Sequence, residues 1–515
     1  MIKTSDLHRL DLRALTAIGC FTVLALLLVS WDSYLYDLWL HHDVIWFYMC
    51  GKAWMHGLTP YIDFADSKGP LLWLIYGVGH LLGPYDYTGC YWLSCLLYTF
   101  IFYQCYKCAR LFVDDRRLAF MAVLFSAVFF LSSLTHIEVR AEDYCYAFMI
   151  PVFYRFLRHT VARENSHNFI RNTVIILGIS LGGTLLIKYS CTLMMAVFIP
   201  YCCIVMPRRA NYPVWKALAW CAVAGIATML PVIVLLACQG ALGACIHEYF
   251  LVTASTFGNM HGESITFSSV MAMLFGTRVL IFNLAIMLCI DIYGRKCRYG
   301  WKFAVVAMIW FLAVIMLNGT DRIYFNVLAL FTVLAAGIIM RVAGRWLRSW
   351  VVVALAAIAV LAGLFLTTER NSLFTAKNPD TAIWYYYPML MSQYDEPRVL
   401  YLNCHDHGES VPVMGLPACK YWSMQEGHTP EMVNDQVNAV KRYQADVVFL
   451  WSNDFAMIRL LEKCKYHRYD FTDAGFGGKD WGRYLMYSQK KLDASQPVSP
   501  KPADILLKRN ILSKK

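Results

Sequence analysis

Residues 70–83 read PLLWLIYGVGHLLG, and this run decides how the rest of the chain crosses a membrane. It is apolar, but a helix needs about 20 apolar residues to cross roughly 30 Å of hydrocarbon. A Gly-Pro pair bounds it at each end, at 69–70 and at 83–84, and such pairs are typical of turns. We therefore predict a short re-entrant or interfacial helix here, not a membrane span.

Eleven other segments have the length and the apolar character of membrane spans. Lipid offers no partner to stray backbone polar groups, so each should be a helix. They lie at about 13–31, 89–109, 118–135, 144–162, 172–188, 190–206, 215–239, 269–293, 302–317, 323–340 and 349–368. The predicted fold class is mainly α: a polytopic membrane helix bundle of about eleven spans, a re-entrant or interfacial helix, and a small C-terminal α/β soluble domain.

The distribution of charge supports this division. Only 16% of the 515 residues are charged, against about 25% in soluble proteins, which argues against a secreted enzyme, a disordered protein or a nucleic-acid binder. Residues 1–369 carry 46 charged side chains, and the much shorter 370–515 carries 35. We predict a transmembrane body over 1–369 with a long external loop at 32–88, an extracytoplasmic α/β domain over 370–493, and a disordered basic tail over 494–515.

The positions of Lys and Arg predict the orientation, because cytoplasmic loops are enriched in them. With eleven spans, alternate loops lie on the same side of the membrane. The set of loops that includes the N-terminus holds 21 basic residues. The other set holds only five: Lys52, Lys68, Arg140, Lys188 and Arg322. Treating 70–83 as a span would destroy this asymmetry. We predict a cytoplasmic N-terminus and an external C-terminal domain. The five outer cations either form an anion site or pair with outer carboxylates and lipid headgroups.

The first external loop, 32–88, is longer than a simple connection needs. Asp43 opens a segment whose aromatic residues favour a short amphipathic helix in the membrane interface. Asp63 and Asp66 follow, and Lys68 directly precedes the short apolar helix. A charge at that depth is costly, so it points to a functional role. For Asp43, capping of the helix is the alternative.

The second external loop carries three carboxylates, Glu138, Glu142 and Asp143, around Arg140. They either form a solvated loop, or one of them faces Asp43 across a cavity. Paired carboxylates from two loops can bind a cation, or divide general-base and electrostatic roles between them.

The pattern D-x(3)-F-Y-x(2)-G-K-A-x(3)-G-x(2)-P-Y-x-D-F-x-D-S-K-G-P-L, which begins at Asp43, resembles the first external loop of bacterial membrane glycosyltransferases of the C superfamily. These are relatives of the protein O-mannosyltransferases and of the aminoarabinose transferases that act on lipid A. Residues 141–144, AEDY, resemble the acidic motif of the family's second external loop. The resemblance covers the topology through about residue 340 and is strongest over 43–72.

The resemblance implies a role for individual residues. Asp43 takes the role of catalytic base, and Lys68 contacts the donor phosphate. Glu142 supports the site or, together with Asp43, holds a divalent metal ion; Asp143 is the second choice. Further phosphate contacts fall on three residues: Lys188, Arg322 and Tyr324. The remaining acidic candidates are Glu138, Asp63 and Asp66.

The expected function is transfer of a sugar from a polyprenyl-phosphate donor to an extracytoplasmic hydroxyl, with inversion, in the cytoplasmic membrane of a bacterium. The acceptor is a glycan, a lipid or a protein, and membrane lipids surround the enzyme. One alternative is an oligosaccharide ligase that uses a lipid-diphosphate donor. The other is a transporter or flippase of lipid-linked saccharides, for which repeated halves and broken helices at mid-membrane are typical.

Residues 385–490 have the pattern of a small α/β unit. A helix is expected at 430–444. Strands are expected at 399–403, 446–451, 466–471 and 483–488. No glycine-rich phosphate loop or metal-ligand spacing stands out in this part of the sequence, so we expect it to handle the acceptor or to pack over the outer cavity.

Overall fold

The computed structural model describes most of the chain, with gaps. The described residues are 10–30, 33, 42–84, 87–131, 139–255, 332–343, 349–367, 383–406, 408–424, 429–470 and 484–494. The chain divides into two compact units that do not follow chain order. The first is Met1–Ser30, Leu93–Val234 and His261–Asn371; the second is Trp31–Trp92, Leu235–Met260 and Ser372–Lys515.

Helices make up most of the described residues. Up to residue 252 they are α1 Leu12–Val29, α2 His42–Met55, α3 Pro70–Leu82, α4 Thr88–Arg110, α5 Arg116–Leu131, α6 Ala141–Val161, α7 His167–Leu185, α8 Tyr189–Ala196, α9 Phe198–Pro200, α10 Met206–Arg209, α11 Val214–Cys238 and α12 Leu242–Cys245, with π-helical turns at Tyr201–Val205 and Ile246–Val252. The later ones are α13 Thr332–Ala343, α14 Trp350–Thr367, α15 Ile383–Met391, α16 Pro430–Lys441 and α17 Phe455–Lys463.

Helices occupy the first seven predicted spans and the last one. Two predicted spans, 269–293 and 302–317, lie outside the described residues, and only the end of 323–340 is described. By length and apolar character, α1 and α11 can each cross a membrane, and α8 with Phe198–Arg209, bent by 40°, can supply a third span within the described part of the chain. The total of eleven spans therefore stays a prediction.

In the first unit, small residues let two long apolar helices approach closely. A Cβ added to Gly178 on α7 would lie 2.1 Å from the carbonyl oxygen of Cys221 on α11, and one added to Gly182 would lie 2.7 Å from that of Gly225. A Gly-x3-Gly spacing of this kind is typical of helix pairs in lipid, where close backbone packing drives association. This contact fixes α7 against α11.

Hydroxyl groups within these helices are satisfied by their own backbone. The side chains of Thr22, Ser126, Thr173 and Thr184 each donate to the carbonyl oxygen four residues earlier, at 2.8–2.9 Å. A polar group left unsatisfied in an apolar interior would be costly. The local bonds therefore allow these residues in otherwise apolar helices.

In the second unit, α2 and α3 also cross at glycines. A Cβ on Gly51 would lie 2.4 Å from the backbone nitrogen of Gly77 and 2.6 Å from the carbonyl oxygen of Trp73. The α3 helix is 13 residues long, which confirms the expectation of a short apolar helix over 70–83. The two helices of the first external loop are thus packed as a pair.

The C-terminal part of the second unit is built on a mixed five-stranded sheet. Its strands are β1 Arg398–Tyr401, β2 Leu416–Pro417, β3 Val447–Trp451, β4 His467–Asp470 and β5 Tyr484–Ser488. Their order is β2-β1-β3-β5-β4, with β1 parallel to β2 and β3, and β5 antiparallel to β3 and β4. The central strand β3 reads VVFLW, a run of β-branched and aromatic residues suited to a sheet. The predicted strands and the 430–444 helix are confirmed.

Candidate active site

Asp43 lies in the first turn of α2 and is partly buried. The residues that follow it, 44–50, are all buried, so the packing of α2 holds Asp43 in place. A carboxylate near the N-terminus of a helix is stabilised by the positive end of the helix dipole. The helix-start position expected from the sequence is confirmed, whereas the catalytic role stays a prediction.

Lys68 lies in the turn that leads into α3. Its ammonium donates to the Ser67 hydroxyl at 2.8 Å, and its carbonyl oxygen accepts a 2.9 Å hydrogen bond from the hydroxyl of Tyr61. Tyr61 is fully buried. The backbone of Lys68 is therefore anchored on a buried side chain.

The Lys68 ammonium also lies 5.9 Å from the centre of the Phe47 ring. Phe47 follows Asp43 by four positions on α2, and residues four apart lie on the same helix face. The ammonium therefore lies along the face of α2 that carries Asp43. A carboxylate and an ammonium that are 25 residues apart in the 32–88 segment thus share one region of the second unit.

The start of α3 adds a second source of positive potential beside Lys68. Pro70 is the first residue of α3, and Gly69 precedes it in an extended conformation with φ −84° and ψ 156°. Pro70 has no backbone N–H, and the Leu72 N–H donates to the Gly69 carbonyl oxygen at 3.2 Å, so it is the positive end of the helix dipole that favours an anion here.

Asp63 and Asp66 have local structural contacts. The Asp63 side chain is exposed and accepts a 2.7 Å hydrogen bond from the backbone N–H of Thr59. Asp66 accepts from the backbone N–H of Ser67 at 2.6 Å. Both carboxylates thus stabilise the turns that carry the chain from α2 to Lys68.

In the first unit, Glu142 and Lys188 form an ion pair. The Lys188 ammonium contacts Oε1 of Glu142, and the two side chains are only 12% and 13% exposed. Glu142 lies in the first turn of α6, and Lys188 directly precedes α8. The structure thus brings together two predicted site residues that are distant in sequence.

Asp143 is held by two structural hydrogen bonds. One carboxylate oxygen accepts from the backbone N–H of Arg140 at 2.7 Å, which caps α6, and the other accepts from the hydroxyl of Tyr98 at 2.9 Å. Both oxygens are engaged, so Asp143 serves the start of α6. Glu142, its neighbour, is the side chain with a cationic partner.

Three predicted site residues, Glu138, Arg322 and Tyr324, lie outside the described residues. Asp43 belongs to the second unit and Glu142 to the first, so their pairing stays a prediction.

The divalent metal ion implied by the resemblance needs several oxygen or nitrogen ligands. Among the described residues, no three His, Cys, Asp or Glu side chains are grouped to hold one. The carboxylate of Glu142, one of the two proposed ligands, is instead held by the Lys188 ammonium. As far as the described residues go, the carboxylate of Glu142 is therefore not placed to bind a metal ion.

Lys52 is a residue whose role sequence reasoning missed. The sequence placed it among five outer cations available to an anion, but the structure buries it completely, and its ammonium donates to the carbonyl oxygen of Ser410 at 3.0 Å. Burial lowers the pKa of Lys52 to about 7, and the charges of Asp406 and Glu396 oppose that shift. Lys52 therefore ties α2 to the C-terminal domain.

Asp406 is a fully buried carboxylate whose charge attracts the Lys52 ammonium. It accepts a 2.7 Å hydrogen bond from the backbone N–H of Gly408. Burial raises its pKa to about 6, against the attraction of Lys52. The only signal in the sequence is the polar run CHDHGES at 404–410, and nothing in its spacing pairs it with α2.

Comparisons with known proteins agree with the fold. No family model and no curated protein matches the chain. Among solved structures, ArnT from Cupriavidus metallidurans bound to undecaprenyl phosphate is similar over 94% of this chain and 99% of that chain, with a TM-score of 0.50 and 13% sequence identity. The apo state of the same protein gives a TM-score of 0.51 and 12% identity over the same shares. The chain therefore shares the fold of ArnT over nearly its whole length.

Proposed function

We propose that this protein is an integral-membrane glycosyltransferase that moves a sugar from a polyprenyl-phosphate donor to an acceptor hydroxyl. One observation carries the proposal: the Lys68 ammonium lies over Phe47, along the face of α2 that carries Asp43. An ammonium and a carboxylate in one region suit a reaction with an anionic leaving group and a proton to remove. The shared fold with ArnT, crystallised with undecaprenyl phosphate, supports it.

Lys68 and the N-terminus of α3 have the charge that the leaving group requires. When the bond between the anomeric carbon and the phosphate oxygen breaks, its electron pair stays on the phosphate. Cationic and N–H groups already in place stabilise such growing charge most effectively where water is excluded. The anchored backbone of Lys68 meets the need for a fixed position.

Asp43 has the chemistry of the general base. The acceptor hydroxyl must lose a proton as its oxygen forms the new bond to the anomeric carbon, and a carboxylate within hydrogen-bond reach can take that proton. Attack from the side opposite the phosphate inverts the anomeric centre. A single displacement of this kind needs no covalent sugar–enzyme intermediate.

Glu142 and Lys188, which form an ion pair in the first unit, are also proposed to act in the reaction. Lys188 supplies a second cation for the phosphate, and Glu142 orients that cation through their contact. Arg322 and Tyr324 are proposed as further phosphate contacts. An approaching phosphate would share the Lys188 ammonium with Glu142.

We place the reaction on the outer side of a bacterial cytoplasmic membrane. Eleven spans with a cytoplasmic N-terminus put the first external loop and the C-terminal domain on that side, in keeping with the 21 to five distribution of basic residues between the two sets of loops. A lipid-linked donor keeps its tail in the bilayer while its sugar reaches Asp43 and Lys68.

One observation favours transport of lipid-linked saccharides as a second candidate function. The α8 helix and the Phe198–Arg209 segment are bent by 40° at a short break, and discontinuous helices are frequent in transporters. A flippase would move the lipid-linked sugar across the bilayer without cleaving it.

Purified protein in liposomes with a panel of undecaprenyl-phosphate sugars separates these functions. The proposal predicts release of undecaprenyl phosphate and a product of inverted anomeric configuration, when a hydroxyl acceptor from the cell envelope is supplied. Movement of the intact lipid-linked sugar without any release would contradict it and favour the flippase.

A further inference from the structure

Glu248 is a buried carboxylate that the proposed mechanism does not use. It lies in the π-helical turn Ile246–Val252 and is 5% exposed. Its Oε1 accepts from the ammonium of Lys420 at 2.6 Å, and its Oε2 accepts from the hydroxyl of Tyr421 at 3.1 Å. A buried charge is tolerated only when it is paired and hydrogen-bonded. Glu248 therefore binds the turn firmly to residues 420–421 of the C-terminal domain.

The same two residues hold the first external loop. The carbonyl oxygen of Lys420 accepts a 3.0 Å hydrogen bond from the backbone N–H of Ala65. The ring of Tyr421 forms an apolar cluster with Ala65 and Met432. Ala65 precedes Lys68 by three residues, so the turn at 420–421 lies against the loop that carries Lys68.

A second connection reaches Lys68 from the residues around the π-helical turn. Tyr61, whose hydroxyl donates to the Lys68 carbonyl oxygen at 2.9 Å, also lies beside the side chain of Cys245. Cys245 directly precedes the turn that carries Glu248. The loop that carries Lys68 is thus held at two points: the Lys420 carbonyl binds Ala65, and the Tyr61 hydroxyl binds Lys68. Lys420 contacts Glu248 in the π-helical turn Ile246–Val252, and Tyr61 lies beside the residue that precedes this turn.

We infer that Glu248 is a positioning residue for Lys68: it fixes the C-terminal domain and the 245–252 segment around the loop that meets the phosphate of a polyprenyl-phosphate donor. The inference rests on the proposed function, which assigns Lys68 to that phosphate. Glu248 does not touch Lys68 and acts through Lys420, Tyr421 and Ala65. The C-terminal domain therefore serves the donor side of the reaction.

Glu248→Gln tests this inference, because it keeps the shape of the side chain and removes the charge that pairs with Lys420. Loss of a charged, buried hydrogen bond should raise the KM for the donor about ten-fold, with the KM for the acceptor changed less than about two-fold. Hydrogen exchange of the backbone amides in 59–68 should become faster, Ala65 included. This exchange readout does not depend on enzymatic activity.

Lys420→Met supplies a second variant in case Glu248→Gln does not fold. It should give the same pattern, and the double variant should be no worse than either single one, because both remove one contact. Asp470→Asn is the matched control. It removes the 3.0 Å ion pair with Arg468 on β4, at the opposite edge of the same sheet, and should change neither readout.

Three outcomes overturn the inference: an unchanged donor KM, unchanged exchange in 59–68, or additive effects in the double variant. Failure of the proposed function looks different, because wild-type protein would then transfer no sugar and Lys68→Ala would not alter donor use. In that case the exchange measurement alone decides whether Glu248 holds the loop.

Discussion

The ammonium of Lys68 lies 5.9 Å from the centre of the Phe47 ring. Phe47 itself lies one helical turn after Asp43 on α2. An aromatic face attracts a cation by about 0.5–2 kcal/mol, depending on how much water is removed. The ring therefore holds the ammonium beside the face of α2 that carries the proposed base. This arrangement links the start of α2 to the turn before α3.

Lys68→Met should weaken use of the polyprenyl-phosphate donor. Removal of one group that stabilises a developing anion typically costs about 100-fold or more in rate, and Phe47→Leu should cost less, because it only loosens the ammonium. Initial rates at varied donor concentration measure both. Lys216→Met is the control, because Lys216 lies similarly over Trp215 at 5.4 Å on α11. Equal losses in Lys216→Met and Lys68→Met would refute the specific role of Lys68.

Gly51→Ala should disturb the site from a distance. The added methyl group would lie 2.4 Å from the backbone of Gly77, so α2 must move away from α3, at a cost of about 1–3 kcal/mol. We expect a lower melting temperature and a lower rate of sugar transfer. Gly243→Ala is the control, because a Cβ there meets nothing within 4 Å. If Gly51→Ala kept the melting temperature and transfer rate of the wild type, close packing of α2 against α3 would not be needed for the site.

The buried Lys52 and Asp406 should give stability a characteristic pH dependence. Burial lowers the pKa of Lys52 from 10.5 to about 7, so its contribution to stability is full above pH 10.5 and is lost as the pH falls towards 7. Burial raises the pKa of Asp406 from 3.8 to about 6, so its contribution is full below pH 3.8 and is lost as the pH rises towards 6. Together they contribute least between about pH 6 and 7.

Melting temperatures from pH 4 to 10 check this dependence against two variants. Lys52→Met should remove the rise in melting temperature above pH 7, and Asp406→Asn should remove the fall between pH 4 and 6. The difference in melting temperature between each variant and the wild type should therefore change with pH. A constant difference for either variant would show that its buried group does not titrate between pH 4 and 10.

Glu142 and Asp143 are neighbours for which we predict opposite roles. Asp143→Asn keeps an oxygen that can accept from Arg140 and should cost about 1 kcal/mol of stability or less, as for a weakened helix cap, with sugar transfer retained. Glu142→Gln removes the charge that holds Lys188 and should lower the transfer rate more than it lowers the melting temperature. The reverse ranking of the two variants would assign the functional role to Asp143.

Much of the fold was predictable because it depends on local patterns. The short apolar run 70–83 became α3, and the continuous apolar runs near 399–403 and 446–451 became the parallel strands β1 and β3. The strand β2, only two residues long at Leu416–Pro417, was not predicted, because two residues show no periodicity.

The contacts that build the second unit were not predictable, because they join residues far apart in sequence. The 3.0 Å hydrogen bond from Lys52 to Ser410 spans 358 positions, and that from Lys420 to Glu248 spans 172. In the sequence, Lys52, Lys420 and Glu248 each look like an ordinary surface charge, and Ser410 like an ordinary polar residue. The position of Asp43 in the first turn of α2, in contrast, followed from the aromatic residues after it.

The central claim is that Asp43 removes the proton of the acceptor in a reaction whose donor Lys68 holds. The most direct measurement compares wild type, Asp43→Asn and Asp63→Asn for two quantities, binding of undecaprenyl phosphate and transfer of the sugar. We predict that Asp43→Asn binds the lipid as the wild type does but transfers sugar at least about 100-fold more slowly, the loss expected for a general base, while Asp63→Asn keeps both activities. Transfer by Asp43→Asn at the rate of the wild type would contradict the claim.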